Sequence, residues 1–383
     1  MTPEWIWMAF LFAFGACLGS FLNVVIYRLP LGKSIVTPPS ACPACGQLIP
    51  FYDNIPLLSW LILGAKCRRC KAPISPRYFI VELLTAILVL GLYLWLFVFQ
   101  YRQICIDSDT PMNRFFNGGY IAYFNFITLI AVMLAASAID LQLWIIPIGL
   151  CWFATAVAIV VSAIAPFFIS PDIIERCRLF PQASPNQAAL ALGASVGLIL
   201  ALAALKFGII KASYPMPDDP DAPEPAFNDR IEVLKETLFL IPIVAFALAA
   251  YLLLKIQPIA QFWENFAQLP AIKGFTGALA GYFIGCAVVW ATRILGTLAF
   301  GREAMGLGDV HLMGAAGAVI GPAYIVLSFF IAPFFGLAWA LYQWIFKKRR
   351  QIPYGPFLSF AVFAVIIFHD WIRNLLQNLY GIY

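Results

Sequence analysis

The chain has 383 residues, of which 62% are hydrophobic and 11% are charged, and its formal net charge is +5. Charged side chains make up about a quarter of a typical soluble protein, so this composition excludes soluble, disordered and fibrous proteins. In a membrane protein Lys and Arg chiefly mark the cytoplasmic loops, and the positive charge therefore gives no reason to expect nucleic-acid binding. We predict an all-α polytopic membrane protein.

About ten segments are apolar, and a helix of about 20 such residues crosses the hydrocarbon layer of a bilayer. The predicted segments are 5–27, 79–100, 120–139, 146–168, 188–210, 238–256, 274–295, 310–321, 323–346 and 355–373. The segment at 310–321 is short and is followed by Gly321-Pro322, so one arm of a re-entrant hairpin is the alternative for it. Residues 374–383 form a C-terminal tail in this interpretation.

The predicted orientation rests on the first polar loop, residues 28–78. This loop holds seven Lys and Arg side chains against one acid, Asp53. Cytoplasmic loops retain basic residues, so the loop is expected inside and the amino terminus outside. The basic run at 347–350 falls on the same side. Residues 1–27 carry no basic side chain before their apolar run, unlike a cleavable signal peptide, and are expected to stay as the first transmembrane helix.

Four cysteines of this loop form two CxxC pairs, Cys42 with Cys45 and Cys67 with Cys70. Each pair places two thiolates on one tight turn, and two such turns complete a tetrahedral zinc site. Four sulfur ligands leave no open position on the metal, so we predict a small cytoplasmic zinc-knuckle domain with a structural role. Elsewhere, Cys105 and Cys177 both fall in segments predicted outside, and whether they form a disulfide stays open.

Two aspartates lie at the ends of predicted helices, and ionisable groups at membrane depth are costly and usually functional. Asp140 ends the third apolar run, and Asp309 opens a later one within Gly306-Leu-Gly308-Asp309. Both map to the cytoplasmic ends of their helices, where they are expected to meet. Two close carboxylates that share one proton are the machinery of an aspartic protease, and the glycines permit close approach of a substrate backbone. Helix capping is the alternative, which suits Asp309 but not Asp140.

Three further polar features are given simpler interpretations. Residues 211–236 are acidic and rich in proline, which predicts a disordered or extended cytoplasmic linker without chemistry. Glu82 is about one helical turn from Arg77 and is expected to form an interfacial ion pair with it. For Asn23, inside the first apolar run, a hydrogen bond in helix packing and a functional role are about equally favoured.

Together these motifs resemble the bacterial type IV prepilin peptidases. The resemblance rests on residues 14–30, the CxxC pairs, 74–83, 139–141, 306–310 and 352–358. It implies a GxGD intramembrane aspartic endopeptidase of the bacterial inner membrane with Asp140 and Asp309 as its catalytic pair. Its partners would be the surrounding lipid and a prepilin or type II secretion pseudopilin, with a basic leader that the enzyme removes and an apolar helix.

The resemblance also implies a second activity and one departure in architecture. Many members methylate the new amino terminus with S-adenosylmethionine, and the cysteine-bearing domain is associated with that step. The transmembrane bundle at 79–373 is longer than usual at about 170–290, which implies an inserted helical hairpin with the acidic linker. The family usually has further acids after its first catalytic Asp, where this chain has Gln142.

Three other functions stay open at this point. A leader peptidase without methyltransferase activity would share every motif described above. A proton-coupled transporter would use the two aspartates as a proton relay. A non-catalytic membrane scaffold would use the zinc knuckle only for docking.

Overall fold

The computed structural model describes residues 4–106, 108–214, 228–346 and 353–380. Within these ranges the chain forms helices and no β-strand, which confirms the predicted all-α class. The first eight α-helices are α1 (Glu4–Arg28), α2 (Leu58–Ile62), α3 (Pro76–Tyr93), α4 (Pro111–Arg114), α5 (Tyr120–Leu143), α6 (Ile148–Ile164), α7 (Pro171–Cys177) and α8 (Pro185–Lys206). The others are α9 (Asp229–Leu253), α10 (Gln257–Ala267), α11 (Pro270–Phe300), α12 (Leu307–Ile320), α13 (Pro322–Phe346), α14 (Gly355–Ile367) and α15 (His369–Tyr380).

Eight helices in the described part of the chain are long and apolar enough to cross a membrane. A ninth span results if α14 and α15 are counted as one broken helix. Every one of the ten predicted segments contains an apolar helix, but two of them differ from a simple span. The last segment is interrupted near Phe368, and α12 has 14 residues, which at 1.5 Å per residue gives a length of about 21 Å.

One compact unit comprises Met1–Pro147 and Ile367–Tyr383. In it α1 packs along α3, and both helices contact α5. The approach is close because Gly15 and Gly19 face the backbone of α3. A methyl group added at Gly15 would lie 2.7 Å from Ala86 Cα, and one at Gly19 would lie 2.6 Å from Glu82 Cα. Small residues four apart thus let two membrane helices meet backbone to backbone.

The other compact unit is Ile148–Ile366, and α11 with its 31 residues runs through it. This helix contacts α6, α8, α9, α12 and α13. The backbones of α11 and α12 are in direct contact, since a methyl group added at Gly281 would lie 1.9 Å from the carbonyl oxygen of Gly317. The helix that carries Asp309 is therefore held by backbone contact with α11.

We expect Gly281→Val to lower the thermal unfolding midpoint of the detergent-purified protein strongly. Its Cβ would overlap the backbone of α12, and overpacking of a tight contact costs about 1–3 kcal/mol or more. Gly149→Val is the matched control, because no atom lies within 4 Å of a Cβ at that position. An unchanged midpoint for Gly281→Val would show that α11 and α12 do not pack in this way.

The structure corrects the prediction for the acidic linker at 211–236. Residues 215–227 lie outside the described residues, but α9 begins at Asp229, where we predicted linker until 236. The side chain of Asn228 caps the helix by accepting a hydrogen bond from the backbone N–H of Arg230. Asp229 and Glu232 occupy the first turn, where acidic groups are stabilised by the helix dipole. Their charge therefore favours a helix start.

Two further predictions concern the carboxyl-terminal third of the chain. The basic run at 347–350, on which part of the predicted orientation rests, lies outside the described residues. Of the predicted tail at 374–383, residues up to Tyr380 belong to α15. This part of the tail is therefore helical.

Candidate functional site

Asp309 lies in the first turn of α12, directly after the glycines of its motif. Gly306 is the N-cap residue, and the backbone N–H of Asp309 donates to the Gly306 carbonyl at 3.2 Å. The residue is 9% exposed. The positive end of a helix dipole stabilises an acidic side chain at such a position, so the local structure suits an acid at the start of α12.

Asp140 lies near a helix carboxyl terminus, in the last turn of α5, and is 6% exposed. The helix ends at Trp144, which has a left-handed conformation with φ 60° and donates its N–H to the Asp140 carbonyl. A helix dipole disfavours an acid at this end, so capping does not explain the position of Asp140. Asp140 belongs to one compact unit and Asp309 to the other, and their pairing stays a prediction.

The four cysteines of the first loop come together as the spacing predicts. Their sulfur atoms all lie within 4.8 Å of one another, and the Sγ atoms of Cys42 and Cys70 are 3.8 Å apart. A tetrahedral zinc site with Zn–S bonds of about 2.3 Å has edges of about 3.8 Å. All four thiols are free. The donor set and the spacing therefore fit a structural zinc ion.

The two cysteine turns repeat the same backbone geometry. The N–H of Cys42 donates to the carbonyl of Gln47, and the N–H of Cys67 donates to that of Ala72, both at 2.9 Å. Each turn closes with a left-handed residue, Gly46 in the first and Lys71 in the second. The backbone N–H groups of Cys70 and Arg69 lower the pKa of the Cys67 thiol to about 6. Burial and the neighbouring thiols raise the pKa of Cys70 to about 11, so Cys67 is the thiol of this turn that ionises more readily.

An ion pair connects the second cysteine turn to the rest of the loop. The guanidinium of Arg68 donates to both carboxylate oxygens of Asp53, with the shortest distance 2.7 Å. The hydrogen bonds from Arg68 hold the pKa of Asp53 below its usual value. Bidentate geometry makes this the strong form of an Arg–carboxylate contact, although its surface position limits its contribution to stability.

The predicted ion pair between Arg77 and Glu82 is replaced by two other contacts. Glu82 accepts a hydrogen bond from the backbone N–H of Leu57 at 2.7 Å. Leu57 has φ 64°, a strained conformation for a residue with a side chain, so Glu82 stabilises a tight bend of the first polar loop. Arg77 donates to the side-chain oxygen of Gln142, two residues after Asp140.

Asn23 makes the packing contact that was one of its two expected roles. Its side-chain amide donates to the carbonyl oxygen of Tyr78 at 3.0 Å, which joins α1 to the start of α3. Near the other motif, the ring nitrogen Nδ1 of His311 lies 3.2 Å from the Tyr282 hydroxyl. His311, two residues after Asp309, is thus held against α11.

One group of functional candidates is absent from the sequence analysis. Arg293 and Glu236 are each 3% exposed and form an ion pair of 2.8 Å. Arg293 lies inside a predicted apolar run, where an ionisable side chain is unusual, and that signal was available. Glu236 was assigned to a linker without chemistry, and only the helical start of α9 reveals its position.

Comparisons with known proteins match two parts of the chain. Residues 13–96 match the family model described as Bacterial Peptidase A24 N-terminal domain, and residues 234–341 match the Type IV leader peptidase family. The cysteine turns and Asp309 lie within these ranges, and Asp140 lies outside both. The second match starts inside the 170–290 stretch for which we predict an insertion, and the inserted hairpin stays a prediction.

Several curated relatives share the name prepilin leader peptidase/N-methyltransferase. The one from Aeromonas salmonicida is 24% identical over 97% of this chain and 94% of its own length. The one from Myxococcus xanthus is 43% identical over 37% of this chain, and the one from Klebsiella pneumoniae is 40% identical over 38%. This chain covers 36% and 57% of the lengths of those two relatives, respectively. No solved structure matches the chain.

The order of the matched parts agrees with the architecture described above. The N-terminal match contains the second half of α1, the cysteine turns and α3, and the leader peptidase match contains α11, α12 and the GxGD motif. The Aeromonas salmonicida relative aligns over nearly the whole chain. The chain is a multi-pass membrane protein that belongs to the type IV leader peptidase family.

Proposed function

We propose that this protein is an intramembrane aspartic endopeptidase that removes the basic leader from type IV prepilins or type II secretion pseudopilins. The observation that carries the proposal is Asp309. It is a buried carboxylate in the first turn of an apolar helix, behind Gly306 and Gly308, within the range that matches the leader peptidase family. The printed name of the relatives, prepilin leader peptidase, supports the substrate class.

In the proposed mechanism Asp140 and Asp309 act as a pair. Two neighbouring carboxylates in a medium of low dielectric constant do not both ionise, so one of them keeps a proton. The ionised group accepts a proton from water, and the water oxygen attacks the carbonyl carbon of the scissile peptide bond. The protonated group donates to the developing oxyanion or to the leaving amine. Gly306 and Gly308 leave room for the substrate backbone because they have no side chain.

The proposed orientation follows from the basic first loop. The protein lies in the bacterial inner membrane with its amino terminus outside, and the cysteine loop and both aspartates are at the cytoplasmic face. The basic leader of the substrate stays in the cytoplasm by the same rule, while the apolar helix of the substrate lies in the bilayer. Local unwinding of that helix exposes one peptide bond to the aspartates.

We also propose that the protein methylates the amino terminus that cleavage creates, since the relatives are named N-methyltransferases. S-adenosylmethionine would supply the methyl group. The sequence has no glycine-rich nucleotide-binding turn, so we assign no residues to this cofactor. Cys42, Cys45, Cys67 and Cys70 would hold zinc, whose four sulfur ligands give it a structural role.

The decisive experiment incubates the purified protein in detergent with a prepilin-like peptide that has a basic leader and an apolar helix. Mass spectrometry should show a new amino terminus. With S-adenosylmethionine present, the mature fragment should also gain about 14 Da, the mass added when a methyl group replaces a hydrogen. Cleavage without the added mass would show that the protein is a leader peptidase without methyltransferase activity. An intact peptide, together with ion-dependent flux in proteoliposomes, would overturn the peptidase and favour a transporter.

A further inference from the structure

A charged cluster with a buried ion pair at its centre lies where α9, α11 and the loop before α12 meet. We define the Arg293 cluster as Arg293, Glu236 and Glu303. Arg293 extends from α11, and its Nε donates to Glu236 of α9 at 2.8 Å. Its Nη1 donates both to the Glu303 carboxylate and to the backbone carbonyl of Met305. One guanidinium thus joins two helices to the loop.

Glu236 is itself held by several donors. One carboxylate oxygen accepts from Arg293 and from the Ser213 hydroxyl at 3.2 Å, and the other accepts from the Trp290 indole at 3.1 Å. The Arg293 guanidinium also lies 5.4 Å from the centre of the Tyr214 ring. A buried guanidinium with this number of partners has a defined orientation.

The loop between α11 and α12 is fastened to α11 at three further points. Gly301 ends the helix in a left-handed conformation and donates its N–H to the Thr297 carbonyl at 2.9 Å. The N–H of Ala304 donates to the Thr297 hydroxyl at 3.2 Å. A methyl group at Gly296 would lie 2.6 Å from Ala304 Cβ, so the loop packs directly on the helix. Met305, the last residue of this fastened loop, is followed by the motif that carries Asp309.

We propose that Arg293 is a positioning residue that sets the location of Asp309 by holding the Met305 carbonyl. The proposal rests on the proposed function, in which Asp309 is catalytic. Gly306 and Gly308 have little conformational preference of their own, so the path of the chain into α12 must be imposed from outside. The guanidinium of Arg293 supplies this constraint, because one planar group can bind Glu236, Glu303 and the Met305 carbonyl at the same time.

Stability alone is a weak explanation for this cluster. Burying an ion pair costs solvation free energy that the attraction between the charges often fails to recover, and apolar residues of similar size are frequently as stable. Geometric precision is the better explanation, since an error of about 1 Å in a catalytic group can cost about 100-fold in rate. The cluster also ties the catalytic loop to Ser213 and Glu236, which belong to the stretch predicted as a linker.

The principal test is Arg293→Lys. Lysine keeps the charge beside Glu236 but cannot span to the loop carbonyl, so we expect kcat for cleavage to fall about 10- to 100-fold. KM should stay within about twofold, because a residue that acts only by positioning Asp309 makes no contact with the substrate. Lys273→Ala is the matched control: this lysine of the same helix pairs with Glu175 at 2.7 Å, and its removal should leave kcat unchanged.

Glu303→Ala is the second variant, and it decides the matter if Arg293→Lys does not fold. The Glu303 side chain is 42% exposed, so its removal should be tolerated by the fold while kcat falls about threefold or more through a looser loop. Wild-type kcat in both variants, or a rise in KM with unchanged kcat, would overturn the positioning role. Residual cleavage in Asp309→Asn would instead contradict the proposed function.

Discussion

Asp309→Asn and Asp140→Asn are each expected to abolish cleavage of a prepilin-like peptide, with a loss of about 10³-fold or more. An amide cannot exchange the proton that the mechanism moves, and general acid–base catalysis contributes about 10²–10⁴-fold. Asparagine has the shape of aspartate, so the variants should remain folded. The measurement is the initial rate of leader release in detergent, followed by mass spectrometry.

Asp172→Asn is the matched control for these two variants. Asp172 is an exposed acid in the first turn of α7. Asp172→Asn therefore removes an acid from the start of a helix, as Asp309→Asn does, but at a position that takes no part in the proposed mechanism. Its cleavage rate should equal that of the wild type. Full processing by Asp309→Asn or Asp140→Asn, with the unfolding midpoint unchanged, would refute the catalytic pair.

Cys42→Ser combined with Cys45→Ser is expected to reduce bound zinc from about one ion per chain to almost none, because a tetrahedral site loses half of its thiolates. The loop has little else to hold it together. Cys42 is the only buried residue among residues 29–75 of the described chain, so the proposed zinc ion would take the place of a hydrophobic core. Methylation should fall further than cleavage, since we assign cleavage to the membrane helices.

Cys17→Ser provides the comparison for the double variant. Cys17 is a free, exposed cysteine of α1 outside the cysteine cluster, and its replacement should leave zinc content and both activities unchanged. Zinc is measured by elemental analysis of the purified protein. Equal loss of cleavage and methylation in the double variant would show that the cysteine turns support the whole fold, and retained zinc would show that other ligands hold it.

Local patterns in the sequence predicted much of this protein. Each of the ten predicted apolar runs contains an apolar helix, because membrane helices satisfy their backbone hydrogen bonds internally. The CxxC spacing predicted the cysteine cluster, since two residues between the cysteines define a tight turn. The start of α9 was missed because prolines and acids between 211 and 236 suggested an extended chain, although the acids at its end suit a helix start.

The partners of polar side chains could not be predicted in the same way. Arg77 and Glu82 are about one helical turn apart, so a mutual ion pair was the simplest expectation. In the structure Glu82 accepts a hydrogen bond from the backbone N–H of Leu57, and Arg77 donates one to the side chain of Gln142. Both partners are distant along the chain, and their proximity depends on how the loop and α5 fold against α3.

The sequence by itself determined the membrane class, the ten apolar helices, the four clustered thiols and the two candidate acids. The length of an apolar run, the spacing of cysteines in a turn and the cost of a charge in a membrane helix all depend on a few neighbouring residues. Only the tertiary structure revealed that Arg293 joins Glu236, Glu303 and the Met305 carbonyl. These groups are separated by up to 69 positions and come together through backbone contacts such as Gly281 with Gly317. Such contacts depend on the packing of whole helices, which no local pattern encodes.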